Sequence, residues 1–379
     1  MKEIIELRHK LHSIAEPSHF EVQTTQLIYD YLNALNPDNL FRVANKAVVA
    51  VFNGSENGIN VLLRADIDAL PINETIKLPY SSHNFGVSHK CGHDGHTAIL
   101  LGFAEHCAEN KAKKGNIILL FQHAEETGMG ALEIINDKLF QDLKPDFSFA
   151  MHNLPGFPLN SIVIKSNTFT SASMGMIITL KGVSSHASEP EKGVSPAPVL
   201  AKLILSLPGI ANNNPSDDTF SLVTVVHAQL GTPAFGTSPA EAVLMLTLRS
   251  YLDKVMDILV EEIKQNVDEL TKKSKIAYSI NFSDVFPATV NNLDAVEIIR
   301  SAAENSQLGL CEPLVPFRWS EDFAHFAGLS RSALFGIGAG DDHPPLHSTN
   351  YDFPDSIIDT GIVMWRAICD QLSKYLPNN

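Results

Sequence analysis

Cysteine is scarce in this chain of 379 residues: Cys91, Cys107, Cys311 and Cys369 are too few and too scattered for a disulfide framework. That usage leads us to expect a reducing, cytoplasmic setting. Positive charge is also short. Lys and Arg number 28 against 43 Asp and Glu, a formal net charge of −15. Such a surface repels phosphate backbones and anionic lipid, so neither nucleic acid nor a membrane is an expected partner. No run of ~18 apolar residues occurs, and none follows Met1-Lys2-Glu3, so neither a membrane span nor a classical signal is expected. Internal repeats and low-complexity tracts are lacking. What is there is 44% apolar and 19% charged, enough for two or three globular domains with a sizeable core.

Apolar spacing of three and four residues predicts helices at 2–11 and 21–35. After Asn36-Pro37 the pattern turns to short continuous apolar runs at 47–52, 60–64, 116–121 and 146–151, the mark of strands buried on both faces. Helical stretches near 97–107 and 130–139 lie between them. This alternation predicts an α/β layer fold with a mainly parallel mixed sheet flanked by helices. From about Ser171 the style changes: strands at 174–182, 220–229 and 241–249, and helices at 196–207 and 253–272. That order fits a compact α+β insert. From Pro287 the first style returns, with a helix at 293–306, a strand at 333–336 and a last helix at 356–375. The expectation is a discontinuous domain, 1–168 and 284–379, interrupted by an insert at 169–283.

Several polar clusters directly follow the buried-strand signals. Arg64-Ala65-Asp66-Ile67-Asp68, His123-Ala124-Glu125-Glu126 and His152-Asn153 end three strands, and Cys91-Gly92-His93-Asp94-Gly95-His96 opens a helix. In open α/β sheets the carboxyl ends of the strands converge on one crevice, so these side chains can meet. Cys91 and His93, with a glycine between, can turn onto one ion; a thiolate with an imidazole suits zinc and its neighbours rather than magnesium or calcium. By itself Cys-x-His could equally be a buried cysteine beside a satisfied histidine. Glu125-Glu126 places two repelling carboxylates side by side, and a cation relieves that. One could bind metal while the other takes a proton from water. His343-Pro344-Pro345-Leu346-His347 has i,i+4 spacing, but its prolines exclude a helix interior. Its last histidine could complete the site from a rigid loop. Among fifteen histidines, His9, His12, His19, His83, His89 and His227 are expected to be structural or solvent-exposed. Ser184-Ser185-His186 in the insert could bring an oxyanion donor or be a surface loop.

Two patterns are decoys. Gly336-Ile337-Gly338-Ala339-Gly340 is not G-x-G-x-x-G, and Asp341-Asp342-His343-Pro344-Pro345 cannot open the helix a nucleotide loop needs. Serine catalysis lacks a G-x-S-x-G elbow.

The segments Leu62 to Pro71, Cys91 to His96, Glu125-Glu126, Met151-His152-Asn153, Ser320-Glu321-Asp322-Phe323-Ala324 and His347-Ser348 occur in order over nearly the whole chain. Together they resemble the M20 metallopeptidase/amidohydrolase family. The nearest branch is that of indole-acetyl-amino-acid hydrolases, hippurate hydrolases and N-acetyl-diaminopimelate deacetylase. The resemblance implies a di-metal catalytic domain with an inserted lid domain that often mediates homodimerisation. It implies Cys91, His93, Glu126, His152 and His347 as ligands of two divalent ions (Zn, Mn, Ni or Co), Glu125 as general base and Asp66 as an orienting residue behind the ligands. It also implies His186 as a lid histidine and Arg249 as a contact for a substrate carboxylate. Two departures fall in the insert. An asparagine common three residues before a lid proline is missing ahead of Pro239, and Ser195-Pro196 stands where Asp-Pro is usual.

The expected activity is hydrolysis of the amide bond of a small N-acyl-amino acid by metal-activated water. A dipeptidase or carboxypeptidase of the same chemistry is the nearer alternative, and a metal-binding homologue without catalysis the more distant one.

Overall fold

The computed structural model describes residues 1–375; the last four residues of the expected 284–379 segment lie outside them. The chain divides into two compact units. One comprises Met1–Phe169, Thr289–Leu314 and the stretch from Glu321 onward; the other comprises Thr170–Ala288 and Val315–Ser320.

The first unit begins with helices α1 (Lys2–Ser13) and α2 (Val22–Ala34), whose inward faces carry Ile4, Leu7, Leu11, Ile28 and Leu32. Strands β1 (Asn39–Val43), β2 (Ala47–Asn53) and β3 (Glu56–Asp66) follow, then helix α3 (His93–Glu109) and strands β4 (Lys114–Gln122) and β5 (Phe147–Pro155). The eight-stranded sheet runs β1-β2-β4-β3-β5, then Arg331–Gly340, Ile162–Val163 and Leu310–Cys311. Its central four strands are parallel, with β3 between β4 and β5 and Arg331–Gly340 outside β5. β1 pairs with β2, and β2 with β4, in antiparallel fashion. The sheet is therefore mixed with a parallel centre. The centre reads as continuous burial, β5 being buried from Phe147 to Leu154, because helices cover such a sheet on both faces. Helices Leu293–Asn305 and Ile358–Leu372 complete this core with Val296, Ile299, Met364 and Trp365.

Three local expectations needed revision. The helix expected over 130–139 is two, Gly130–Ile135 and Lys138–Gln141, because the Asp137 carboxylate caps Leu139 N and restarts the helix. The strand expected at 333–336 runs on through the glycines to Gly340. Glycine is required there by close approach: a Cβ on Gly336 would sit 2.1 Å from Leu154 Cδ1, and one on Gly338 2.0 Å from Pro158 O. Strand β1 was not foreseen; its mixed exposure hides any period.

In the second unit, four antiparallel strands stand in the order Ser221–Leu230, Glu241–Ser250, Ala172–Lys181, Ala277–Phe286. Met176, Ile178 and Leu180 alternate inward on one strand, and Ala242, Leu244, Leu246 and Leu248 on its neighbour. Helices Ala197–Ser206 and Asp253–Ser274 cover that face with Leu200, Leu203, Leu259, Ile263 and Val267. Segment 315–320, expected in the first body, belongs to this one: Ser171 N donates to Phe317 O at 3.0 Å. All four cysteines are free thiols, and among the described residues no helix is long and apolar enough to cross a membrane.

Candidate metal centre

Because β3, β4 and β5 are parallel, their carboxyl ends open on the same side of the sheet, and the polar clusters follow from there. Asp66 closes β3. Beyond β4 the chain turns sharply, with Ala124 in the left-handed region at φ 51°, and then presents Glu125 and Glu126. That turn is held by the Ala124 N–H, which donates to buried Glu21 Oε1 at 2.8 Å. His152 lies on β5 itself. Cys91 and His93 flank Gly92, the N-cap of α3, at φ 95°. No other residue suits that position: besides the backbone angle, a Cβ would meet Asn153 Oδ1 at 2.7 Å and Tyr351 Oη at 2.8 Å.

These elements bring the five expected ligands together. Cys91 Sγ lies 3.5 Å from His152 Nε2, whose ring is oriented by Nδ1–H donating to Asn153 O at 2.8 Å. His93 Nε2 is buried without a hydrogen-bond partner, 3.8 Å from Glu126 Oε1, 3.9 Å from Glu125 Oε2 and 3.7 Å from Asp66 Oδ2. Glu126 Oε1 is likewise buried and unpartnered, 3.7 Å from His347 Nε2. His347 is the most exposed of the set and sits in a loop at φ 63°; its N–H donates to Lys90 O at 2.7 Å, which fastens the loop to the residue before Cys91. Donor atoms of Cys91, His93 and His152 lie within 4.8 Å of one another, as do those of Cys91, Glu126 and His347.

Asp66 and Asp68 divide the orienting work differently from expectation. His93 Nδ1 donates to Asp68, at 3.0 Å from the carbonyl and 3.1 Å from Oδ1, which leaves the Nε2 lone pair facing the carboxylates. Asp68 Oδ2 also accepts from Glu126 N at 3.1 Å and from Ser18 Oγ at 2.7 Å. Asp66 stands on the donor side of His93 and orients His96 instead, at 2.6 Å, and His96 reaches on to Asn153 Oδ1 at 2.6 Å. Sequence reading passed over Asp68, although its place two residues beyond Asp66 at a strand end was the available signal. Behind Asp66, the buried Arg64 guanidinium pairs with Asp66 Oδ2 at 2.8 Å and with Glu321 and Asp322, each at 2.9 Å. The 320–324 motif thus carries counter-charge for a buried arginine.

The electrostatics of this cluster are those of a cation site. Burial, and then the Glu126, Glu125 and Asp66 carboxylates, push the Cys91 thiol well up. Burial, and then Glu321 and Glu126, likewise raise Glu125. Burial alone would lower His93, yet Asp66, Asp68 and Glu126 together carry it up to about 10. Carboxylates crowd a buried imidazole and thiol, and His93 Nε2 and Glu126 Oε1, which have no hydrogen-bond partner, are donor atoms that a cation would engage in place of protons. A set of thiol, imidazole and carboxylate donors fits divalent transition metals.

His186 and Arg249 both belong to the second unit. His186 lies on a two-residue strand, exposed, its Nδ1 accepting from Ser188 N at 3.2 Å and lying 2.6 Å from Ser188 Oγ. Accepting at Nδ1 places the ring proton on Nε2. Arg249 Nη1 donates to Arg318 O at 2.6 Å and Ser320 Oγ at 3.1 Å, so one arm of the guanidinium holds segment 315–320.

Comparison with known proteins agrees with this chemistry. The model of peptidase family M20/M25/M40 matches residues 62–371. A hippurate hydrolase of Campylobacter jejuni is 30% identical over 358 residues, covering 94% of this chain and 93% of the relative. An N-acetyl-L-cysteine deacetylase of Bacillus subtilis is 30% identical over 351 residues, covering 91% and 82%. The crystal structure of the Bacillus subtilis YXEP protein, described as a dinuclear metal binding peptidase, superposes with a TM-score of 0.84 at 23% identity, covering 99% of each chain.

Proposed function

From the premise that this chain belongs to peptidase family M20/M25/M40, we propose that it hydrolyses the amide bond of a small N-acyl-amino acid, with Glu125 as general base. The observation that carries the reading is the pair Glu125-Glu126 set against Cys91, His93, His152 and His347 in one cluster, buried save for His347. The names of the relatives, one a hippurate hydrolase and one a deacetylase of an acetylated amino acid, favour acyl-amino acids over peptides.

In this reading Cys91, His93, Glu126, His152 and His347 would hold two divalent ions of the zinc, manganese, nickel or cobalt kind, while Asp68 keeps His93 aimed and Asp66 holds His96 behind the set. When bound, such ions polarise the scissile carbonyl and acidify the attacking water. Glu125 accepts the proton of that water at its carboxylate as the oxygen attacks the acyl carbon. The C–N bond then breaks, and Glu125 returns the proton to the leaving amine, giving a carboxylic acid and a free amino acid. Burial and neighbouring acids raise Glu125, which suits the half of the cycle in which it gives the proton up. His186, with its proton on Nε2, donates to the developing oxyanion, and the free arm of Arg249 pairs with the substrate carboxylate. The inserted unit serves as lid and dimerisation element of a homodimer, an assignment that rests on the family resemblance. A cytoplasmic setting is supported by four unpaired thiols.

The test is Glu125→Gln. We expect metal content to stay the same while kcat on N-acetyl- and N-benzoyl-amino acids falls by ~10²–10⁴. Undiminished turnover at full metal loading refutes the base. Faster cleavage of dipeptides than of any acyl-amino acid moves the assignment to a peptidase.

A further inference from the structure

Three residues before Glu126, the same turn carries donors that the cluster around Cys91 does not use. His123 is wholly buried, with Nε2 2.8 Å from Glu133 Oε2 on the helix Gly130–Ile135 and Nδ1 lacking any hydrogen-bond partner. His19, in the loop between α1 and α2, stands beside them. Its ring centroid is 6.2 Å from that of His123, and its Nδ1 is 4.0 Å from Glu133 Oε1. One donor atom from each of the three lies within 4.8 Å of the others.

An ordinary histidine–carboxylate pair would account for His123 and Glu133, but not for His19. Thr127 Oγ1 donates to Ala124 O at 3.2 Å and therefore accepts from His19 Nε2, 3.3 Å away. The ring proton of His19 is thereby committed to Nε2, and Nδ1 turns a lone pair toward a carboxylate oxygen. Two acceptors facing each other, here 4.0 Å apart, make no hydrogen bond. A tetrahedral zinc with ~2.0–2.2 Å bonds sets its donors ~3.4 Å apart, so His19 would close by about half an ångström to share an ion with Glu133. Metal-binding histidines have a partner fixing the other ring nitrogen, a part the Thr127 hydroxyl plays for His19. The backbone is set for it as well. His19 adopts φ 68°, and Glu21 Oε1 accepts from His19 N at 2.9 Å as it does from Ala124 N. One buried carboxylate thus fixes both the His19 loop and the catalytic turn.

We propose that His19, His123 and Glu133 form a further divalent transition-metal site, distinct from the cluster around Cys91. Two imidazoles and one carboxylate select Zn²⁺, Ni²⁺ or Co²⁺ over Mg²⁺ or Ca²⁺. With His19 and Glu133 each 39% exposed at the side chain, the ion exchanges with solvent. It braces loop 17–21 and helix Gly130–Ile135 against the turn that presents Glu125 and Glu126.

The test counts ions on the full chain after chelation and dialysis against Zn²⁺ or Co²⁺, by mass spectrometry and titration calorimetry. Glu133→Gln is isosteric, and His19→Gly suits the positive φ, so both variants fold. Each is expected to lower the bound metal by one ion, with the affinity of that site falling at least ~10-fold. A Cys91→Ser, Glu126→Gln double variant is expected to keep one Co²⁺ with no thiolate-to-cobalt absorption band and to lose it when Glu133→Gln is added. Unchanged count and affinity in Glu133→Gln and His19→Gly overturn the site, and so does a double variant that binds no ion. If instead the double variant binds as many ions as the parent while Glu133→Gln binds fewer, this site stands and the assignment of the Cys91 cluster fails.

Discussion

The two units bury polar groups in opposite ways. In the second, the buried polar side chains among the described residues are hydroxyls only: Thr170, Ser171, Ser173, Ser221, Ser250 and Thr271. The first buries Arg8, Arg64, Lys90, Asp66, Asp68, Asp94, Glu125, Glu321 and Asp322, together with several histidines. Burying charge costs free energy that hydrocarbon of equal volume would not, so a fold that does it repeatedly is keeping a constellation in place. The second unit follows period-2 strands and an apolar helix face, with a core of hydrocarbon. Charge in the core therefore marks where this molecule holds its chemistry.

The largest effect expected from that contrast comes at Arg64. Arg64→Met leaves Asp66, Glu321 and Asp322 buried without their shared counter-charge, a loss of about 3–5 kcal/mol by urea denaturation. A loss below about 1 kcal/mol would break the contrast, because the network would then be idle. Next comes the counterpart in the second unit. Leu246→Ala opens a cavity under the two helices and costs roughly 3 kcal/mol, yet the bound metal count stays constant, since that unit contributes none of the candidate ligands.

The same contrast explains what could be read from the sequence. The buried strands of the parallel centre and the alternation of 176, 178 and 180 are periodic and were legible. Cys91-Gly92-His93 and Glu125-Glu126 were legible because unlike donors crowd into few positions. Asp68 was not singled out, because nothing in the one-dimensional order says which of two carboxylates stands behind a histidine. Glu21 gave no signal: its role lies in Ala124 N and His19 N, and the contact to Ala124 spans 103 positions. His19 reads as a structural histidine, since His123 and Glu133 are joined to it only by the fold. The glycines 336–340 read as a loop because close packing against Leu154 and Pro158 leaves no mark in composition.

Third in size is a pH effect that should be confined to the first unit. His12 is buried, which alone would lower it, but hydrogen bonds to Asp94 at 2.8 Å and Glu74 at 3.0 Å raise it from 6.5 to about 9. A base held above its unfolded value adds stability that is fully present below pH about 6.5 and fades as pH rises through about 9. About 3 kcal/mol is at stake. Denaturation midpoints at pH 6, 7.5 and 9 should fall steadily in the wild type and less steeply in His12→Gln. Parallel slopes would show that His12 is not the group responsible.

The smallest effect is the sharpest test, because it holds geometry constant. Lys90 Nζ lies 2.6 Å from Glu74 Oε1 with side chains 0% and 8% exposed, and Lys264 Nζ lies 2.6 Å from Glu261 Oε1 with side chains 41% and 63% exposed. The two pairs have the same length and the same chemistry and differ in burial. At the surface, solvent screens the attraction and ordering two long side chains cancels most of it, so Lys264→Met should cost less than about 0.5 kcal/mol. In the interior, removing the ammonium leaves Glu74 to His12 and the Ser82 N–H and strands the Tyr351 carbonyl, so Lys90→Met should cost several-fold more and pull down the loop that fastens His347. If the two substitutions cost the same, burial is not what separates the units, and charge in the core does not mark the chemistry.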